Sequence, residues 1–355
     1  MPASPPYHVR ANALGHLGGD WVFVGKQVMS ADGTRAENQI WTVPVDGGAA
    51  KLAFAYDVST AGVPEAIFDT APYLRRQFSP DGRRFVVSVG GELLIVALET
   101  GTVTTLGTSG YFPSWSKDGS QIAYLFERPF NGVTVPPDEA IGVVPASGGP
   151  GREVFAVGYW RSAAEWSPDG VSLIVAGPDR KIVFVDAQSG RVVRQLADAP
   201  GARGFASWRR DSPQIALVTT GCDSDRWRVL ILDDANAAAR EGADLGTGCD
   251  GRRVSDPRWN PARPTELLYV AARSVFDGPE VHLLDVATRT DTRLPISAVE
   301  ATWTWDGNEI LCLFHSMAVP YGGRVFRIAR DGISRRELFA AGERESLFSI
   351  ASLRY

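Results

Sequence analysis

Phe78-Ser79-Pro80-Asp81-Gly82 returns as Trp115-Ser116-Lys117-Asp118-Gly119 and as Trp166-Ser167-Pro168-Asp169-Gly170. Altered copies stand at Trp208-Arg209-Arg210-Asp211-Ser212, at Trp259-Asn260-Pro261-Ala262 and at Trp303-Thr304-Trp305-Asp306-Gly307. The leading aromatics are 37, 51, 42, 51 and 44 residues apart, a mean of 45. In each full copy the aromatic ends a strand, Asp-Gly makes the tight turn into the next strand, and proline, where present, fixes φ.

Strand-forming segments follow each turn. After Gly82 come Arg84–Val89, the turn Gly90-Gly91, Leu93–Leu98, the turn Thr100-Gly101 and Thr102–Leu106. The order repeats at Ser172–Ala176, Lys181–Asp186, Ser189-Gly190 and Arg191–Leu196, and again at Ile310–Phe314, Arg324–Ala329, Asp331-Gly332 and Ser334–Phe339. Four short strands per unit of this period are the mark of a β-propeller blade. A seventh triplet, Trp21–Val28, Gln39–Val45 and Ala50–Ala55, precedes the six phrases. Gly18-Gly19-Asp20 is expected to be its worn turn, fed by a first strand near Val9–Leu14. Seven units of the 355-residue chain have about 51 residues each; six would be longer than the spacing favours. The C-terminal strand Ser346–Leu353 is expected to pair with the first blade. Ala235–Glu241 is the one helix-like stretch. The expectation is an all-β, seven-bladed β-propeller of four-stranded antiparallel blades, six blades being the alternative. Residues 1–7 read as a tail and 8–355 as a single domain.

The repeated phrase resembles that of the TolB-like propellers, relatives of the WD-type blade. The resemblance is firmest over residues 78–310; Phe78–Gly82 and Trp166–Gly170 match in full, Trp115–Gly119 has Lys for Pro, and the last three copies have lost Pro, Asp or Gly. It implies a protein-binding scaffold, or a gating domain of a peptidase. The chain shows neither the extra N-terminal domain of TolB nor a peptidase domain, so the resemblance speaks to fold more than to function.

Composition narrows the classes. There are 36 Lys and Arg against 41 Asp and Glu, a net charge of −5, which excludes the broadly basic surface of a non-specific nucleic-acid binder. No apolar run reaches the length of a membrane span, and Met1–Tyr7 does not read as a signal peptide. Neither a Gly-x-Ser-x-Gly elbow nor a Gly-rich phosphate loop occurs, so no cofactor is expected. The four histidines, His8, His16, His282 and His315, lack metal-site spacing, although His315 is conceivable at a channel mouth. Asp223-Ser224-Asp225 lacks the later residues of a Ca²⁺ loop. Asp138-Glu139 reads as a solvated pair in a Pro-rich loop, and Cys312 as a buried apolar residue. Cys222 and Cys249 each stand in Gly-Cys-Asp, in two connections of one blade on the same face. They could form a disulfide, which would place the protein outside the cytoplasm; two free thiols in the cytoplasm is the other reading.

In a blade running from strand A to strand D, the Asp-Gly turns join A to B at one end. The B–C loops and the D-to-A connections lie at the other end and hold most of the length variation: Ser30–Glu37, Tyr56–Arg76, Glu127–Glu139, Ser274–Pro279 and Ser316–Gly323. Binding concentrates on such loops over a rigid scaffold. Tyr111, Phe112, Tyr159, Trp160, Arg161, Arg203, Phe205, Arg252, Arg253 and Tyr321 belong to this end, and Tyr, Trp and Arg dominate binding hot spots. The expected function is non-enzymatic binding of a protein partner or anionic ligand by a monomer; the alternative is a propeller lyase or hydrolase acting at the channel mouth.

Overall fold

The computed structural model describes residues 8–59, 74–128, 138–158, 164–177, 181–196, 206–209, 212–219, 228–233, 240–244, 253–254, 257–272, 278–314 and 322–354. Among them the strands form seven sheets, and the only helix is Leu74–Gln77. The chain divides into two compact units, Met1–Phe112 with Ala298–Tyr355, and Pro113–Ser297.

In the first unit, one sheet runs from A to D as Glu345–Arg354, Asp20–Met29, Arg35–Pro44 and Lys51–Ser59, with Val9–Ala11 added beyond. The next contains Arg84–Val89, Glu92–Ala97 and Thr102–Ser109, and its A strand is reduced to one bridge between Phe78 and Phe85. The last is Glu300–Trp303, Glu309–Phe314, Arg324–Ala329 and Arg335–Ala340.

The second unit has four sheets. The first joins Tyr111–Trp115, Gln121–Glu127, Glu139–Pro145 and Arg152–Gly158; the second joins Glu165–Trp166, Ser172–Ala176, Ile182–Asp186 and Val192–Gln195. The third joins Ala206–Trp208, Ile215–Thr219, Arg228–Leu232 and Arg240–Asp244. The fourth has a split A strand, Arg253–Val254 and Arg258–Trp259, followed by Glu266–Ala272, Glu280–Asp285 and Thr290–Ser297. Seven antiparallel sheets in this repeating order are the blades of a seven-bladed β-propeller.

Three expectations change. Val9–Leu14 does not supply the A strand of the first blade: Val9, Arg10 and Ala11 pair with Tyr56, Ala55 and Phe54 at the D edge. The A strand comes from the C-terminus, where Asp20 lies opposite Arg354 and Trp21 opposite Leu353. Gly18-Gly19-Asp20 is therefore no worn A–B turn. It stands where the chain is interrupted, and an Arg354–Asp20 ion pair of 2.8 Å spans the gap. Finally, Arg240 and Glu241, the end of the helix-like stretch, belong to a strand, because a β partner in Arg228–Leu232 outweighs the weak local preference.

Packing explains the composition of the strands. In Asp20–Met29, Trp21 and Phe23 join a cluster with Phe54, Phe78 and Phe85, while Val22 and Val24 face Leu311, Leu313 and Val325. Both faces are covered, so the strand is nearly continuously apolar rather than alternating. The C-terminal strand serves both clusters: Ala351 and Leu353 join the first, Leu347 and Ile350 the second.

Beyond Ala11 the N-terminal segment becomes a strap. Asn12 N–H bonds to Ala53 O at 3.0 Å, Leu14 N–H to Leu98 O at 2.9 Å and Gly15 N–H to Glu99 O at 3.1 Å. It thus links the D strand of one blade to the C–D turn of the next. Gly101 in that turn has φ 71°, and a Cβ there would stand 2.8 Å from Ala13 N. Gly101→Ala is expected to lower unfolding free energy by about 1–2 kcal/mol through the left-handed backbone alone, and by more through the clash. A urea midpoint equal to the parent's would contradict the strap.

Candidate functional site

The repeated phrase builds one compact hydrogen-bonded unit. Ser79 Oγ donates to Asp81 Oδ1 at 2.5 Å and accepts from Arg84 N–H at 2.9 Å, while Asp81 Oδ1 also accepts from Arg83 N–H at 3.1 Å. Ser116–Asp118 and Ser167–Asp169 repeat the pattern. In each the glycine sits at positive φ, 71° at Gly82 and 69° at Gly119, where a side chain would be strained. The later copy Trp303–Gly307 keeps the same unit, with Thr304 Oγ1 replacing serine. At Trp259–Ala262, Asn260 Oδ1 caps the turn by accepting from Ala262 and Arg263 N–H at 2.9 and 3.0 Å. Ser30-Ala31-Asp32-Gly33 builds the unit a further time, in a B–C loop at the opposite end of its sheet. The Ser-x-Asp-Gly spacing announces it, although the aromatic and proline are absent.

These turns hold the carboxylates of Asp81, Asp118 and Asp306 below their ordinary range. Hydrogen bonds from Ser116 and Ser120 hold Asp118 below the usual range. At Asp81 and Asp306 burial raises the pKa, but the hydroxyl and N–H donors outweigh it and the net shift is downward. Such a group binds fewer protons folded than unfolded, so its stabilisation is complete above the unfolded value near ~4 and is lost as pH falls through the folded value. Asp118→Asn is therefore expected to flatten the fall in urea midpoint below about pH 4. An acid limb unchanged from the parent's would show that this turn does not carry it.

At the loop end, Tyr111 and Phe112 begin the A strand Tyr111–Trp115. The B–C turn of the preceding blade holds them: Gly110 N–H bonds to Gly91 O at 2.6 Å, and Ser88 Oγ donates to Gly110 O at 2.7 Å. Tyr111 is half-buried and Phe112 buried. Phe112 has φ 49°, in the left-handed region that few non-glycine residues occupy. Arg253 opens the split A strand of its sheet, opposite Ala272. Tyr159, Trp160, Arg161, Arg203, Phe205, Arg252 and Tyr321 lie outside the described residues, as do Cys222, Cys249, His315 and Asp223–Asp225.

The remaining candidates have structural roles. Asp138 pairs with Arg128 at 3.0 Å and closes the base of the B–C loop. Glu139 is not in the loop but buried at the start of a strand. Burial pushes the Cys312 thiol up. His282 stacks on Tyr269 with centroids 5.0 Å apart, and its Nδ1 is 3.1 Å from Asp291 Oδ2. Among the described residues no group of three or more His, Cys, Asp or Glu could hold a metal ion, and no helix is long and apolar enough to cross a membrane.

A cleft of about 250 Å³ opens where the first blade lacks its A–B turn. The strap supplies His16 and Leu17, the next blade supplies Arg83, Leu98 and Glu99, and the C-terminal strand supplies Arg354. No spacing rule could have gathered residues this far apart in sequence; the junction of the two chain ends brings them together.

The fold and its repeated turns define the class, a seven-bladed β-propeller. The resemblance to TolB holds at that level: the chain is similar to TolB from Acinetobacter baumannii, with 16% identity over 93% of this chain and 83% of that one and a TM-score of 0.50. It is also similar to an oligogalacturonate lyase from Vibrio parahaemolyticus, with 11% identity, 91% and 86% coverage and a TM-score of 0.53. Hydrazine synthase from Kuenenia stuttgartiensis matches with 16% identity, 72% and 77% coverage and a TM-score of 0.53. These likenesses concern the fold alone. The chain matches no protein-family model and no curated protein sequence.

Proposed function

We propose that this propeller is a binding protein whose loop-bearing end takes up a protein partner or an anionic ligand. The observation that carries the reading is Phe112, a bulky residue at φ 49° beside half-buried Tyr111. Backbone strain of this kind persists where the surroundings enforce it, and it gathers at binding and catalytic sites. The displaced carboxylates of the turns support the reading from the other side, since hydrogen bonding within the turns accounts for their shifts. The sequence adds the aromatic Trp160 at the same end, with Arg161, Arg203, Arg252 and Arg253, cations suited to an acidic patch. A location outside the cytoplasm goes with a Cys222–Cys249 disulfide and belongs to the same proposal.

The test is capture by the immobilised protein from its native host's extract, comparing the parent with Trp160→Ala and Arg161→Ala. Retained species are expected to be lost in both variants with the melting temperature nearly unchanged; full retention by both would refute the reading. Incubation with oligogalacturonate is expected to give no unsaturated, ultraviolet-absorbing product, and its appearance would instead make the chain a lyase.

A further inference from the structure

An open sheet edge presents a row of unpaired backbone N–H and C=O groups, and proteins guard such edges with charges, prolines or a covering segment. Among the described strands, the outer ones follow this rule with one exception. Lys51–Ser59 is covered by Val9–Ala11, which adds to it antiparallel as a fifth strand. Arg152–Gly158 begins with Arg152, Val192–Gln195 contains Arg194 and Arg240–Asp244 contains Glu241. Thr290–Ser297 has Arg293 and Pro295, and Arg335–Ala340 opens on two arginines. Thr102–Ser109 has none of these guards. Its sequence, Thr-Val-Thr-Thr-Leu-Gly-Thr-Ser, contains no charge and no proline, and it stands last in its sheet with no described strand beyond it. Thr102, Val103, Thr104 and Thr105 are all exposed, the valine at 37%. They pair inward in regular register with Ala97, Val96, Ile95 and Leu94, and after Thr105 a bulge carries the pairing on to Ser109 and Glu92. The usable edge is therefore a regular run of four β-branched residues.

We propose that this edge pairs with itself: two copies of the chain join as a weak dimer, with Thr102–Thr105 of one antiparallel to Thr102–Thr105 of the other. A two-fold contact sets the same patch against itself. Any charge in the run would then stand opposite or diagonal to its own copy, which is unfavourable; this run has none. The register centres on Val103 or on Thr104, and Glu99, the last charge before the strand, falls opposite Gly107 or Ser109 of the second copy. Glu92 reaches the strand from its inner side, where it accepts from Thr105 Oγ1 at 2.6 Å. Threonine and valine suit a strand, and opposed threonines bond through their hydroxyls. Val9–Ala11 on the neighbouring sheet shows that the outer position of a blade in this fold takes an added antiparallel strand. Four residues a side make a small contact of the transient class, so the monomer expected from the sequence is the dilute state.

The test is sedimentation velocity of the whole chain over a concentration series from roughly 1 to 300 μM, where contacts of this class form. The sedimentation coefficient is expected to rise towards that of a dimer. Thr104→Lys, a change at an exposed position, is expected to abolish the rise while the melting temperature stays at the parent's. Thr104→Val, β-branched and uncharged, is expected to keep it. Hydrogen exchange at the top of the series is expected to slow in peptides spanning Thr102–Leu106 relative to the bottom of the series. A monomer throughout would overturn the proposal. So would a dimer that survives Thr104→Lys, which would put the contact elsewhere, and so would loss of the dimer in both variants, which would assign it to the Thr104 hydroxyl rather than to the uncharged edge.

Discussion

A chain ending at Arg344 is expected to show no cooperative unfolding transition at room temperature. The cut removes Glu345–Arg354, the A strand paired along Asp20–Val28. With it go Leu347 and Ile350 from one buried cluster and Ala351 and Leu353 from the other. Full burial of a large aliphatic side chain contributes about 1.5–3 kcal/mol, so the three largest together contribute roughly 5–9 kcal/mol. A domain's whole stability is about 5–15 kcal/mol, and the cut also strips Asp20–Met29 of one of its two hydrogen-bonding neighbours, leaving Arg35–Pro44. Buried Lys26 would lose its partner Glu345, now 2.8 Å away, leaving its charge with cation–π contacts to Trp41 at 4.7 Å and Phe339 at 6.0 Å. Circular dichroism melting checks the outcome. A sharp transition near the parent's would mean that the first blade closes without its terminal strand. Ile350→Ala, a milder change, is expected to cost about 2–5 kcal/mol and to keep a single transition.

The second large effect concerns the tryptophans that open the repeated phrase. Trp166 is buried, and its Nε1 donates to Ser114 O at 3.1 Å. Trp259 does the same to Ser207 O at 3.0 Å. Ser114 and Ser207 immediately precede the leading tryptophans of the blades before, so each indole fastens one blade's A strand to its neighbour's. Ser114 Oγ in turn donates to Ala164 O at 3.0 Å. Trp166→Ala is expected to lower unfolding free energy by about 3–5 kcal/mol, the usual cost of emptying a large buried aromatic site. Trp166→Phe keeps most of the ring but loses the donor, and should cost about 1–2 kcal/mol. Urea denaturation measures both, and the ordering matters: a phenylalanine variant as unstable as the alanine variant would assign the effect to the hydrogen bond rather than to packing between blades.

How much of this was readable from residues follows from how local each device is. Ser79-Pro80-Asp81-Gly82 declares its turn because the serine and aspartate bond to the turn's own backbone and glycine supplies the positive φ. The same locality explains why Thr304 can replace serine, and why Asn260 succeeds with a different set of acceptors. Six copies of the phrase, with apolar strands between them, are enough to fix the fold class.

What escaped was non-local. Nothing in Val9–Ala11 distinguishes a strand at a D edge from one at A. That choice is decided by Glu345–Arg354, longer and more apolar, which takes the A position beside Asp20–Met29 and leaves the N-terminal segment to act as a strap. The cleft of Arg83, Glu99, His16 and Arg354 is a consequence of that junction and had no signature of its own. At the loop end, the aromatic pair Tyr111-Phe112 could be singled out by residue type, but the backbone strain at Phe112 could not, since phenylalanine has no preference for positive φ.

The most direct measurement is native-state hydrogen exchange of the C-terminal strand. If Glu345–Arg354 is the A strand of the first blade, amides in peptides from Leu347 to Leu353 should exchange as slowly as those of Trp21–Gly25, and both should open in the same global event. Exchange of the C-terminal peptide at the rate of an unstructured chain, while Trp21–Gly25 stays protected, would contradict the arrangement and remove the junction on which the cleft depends.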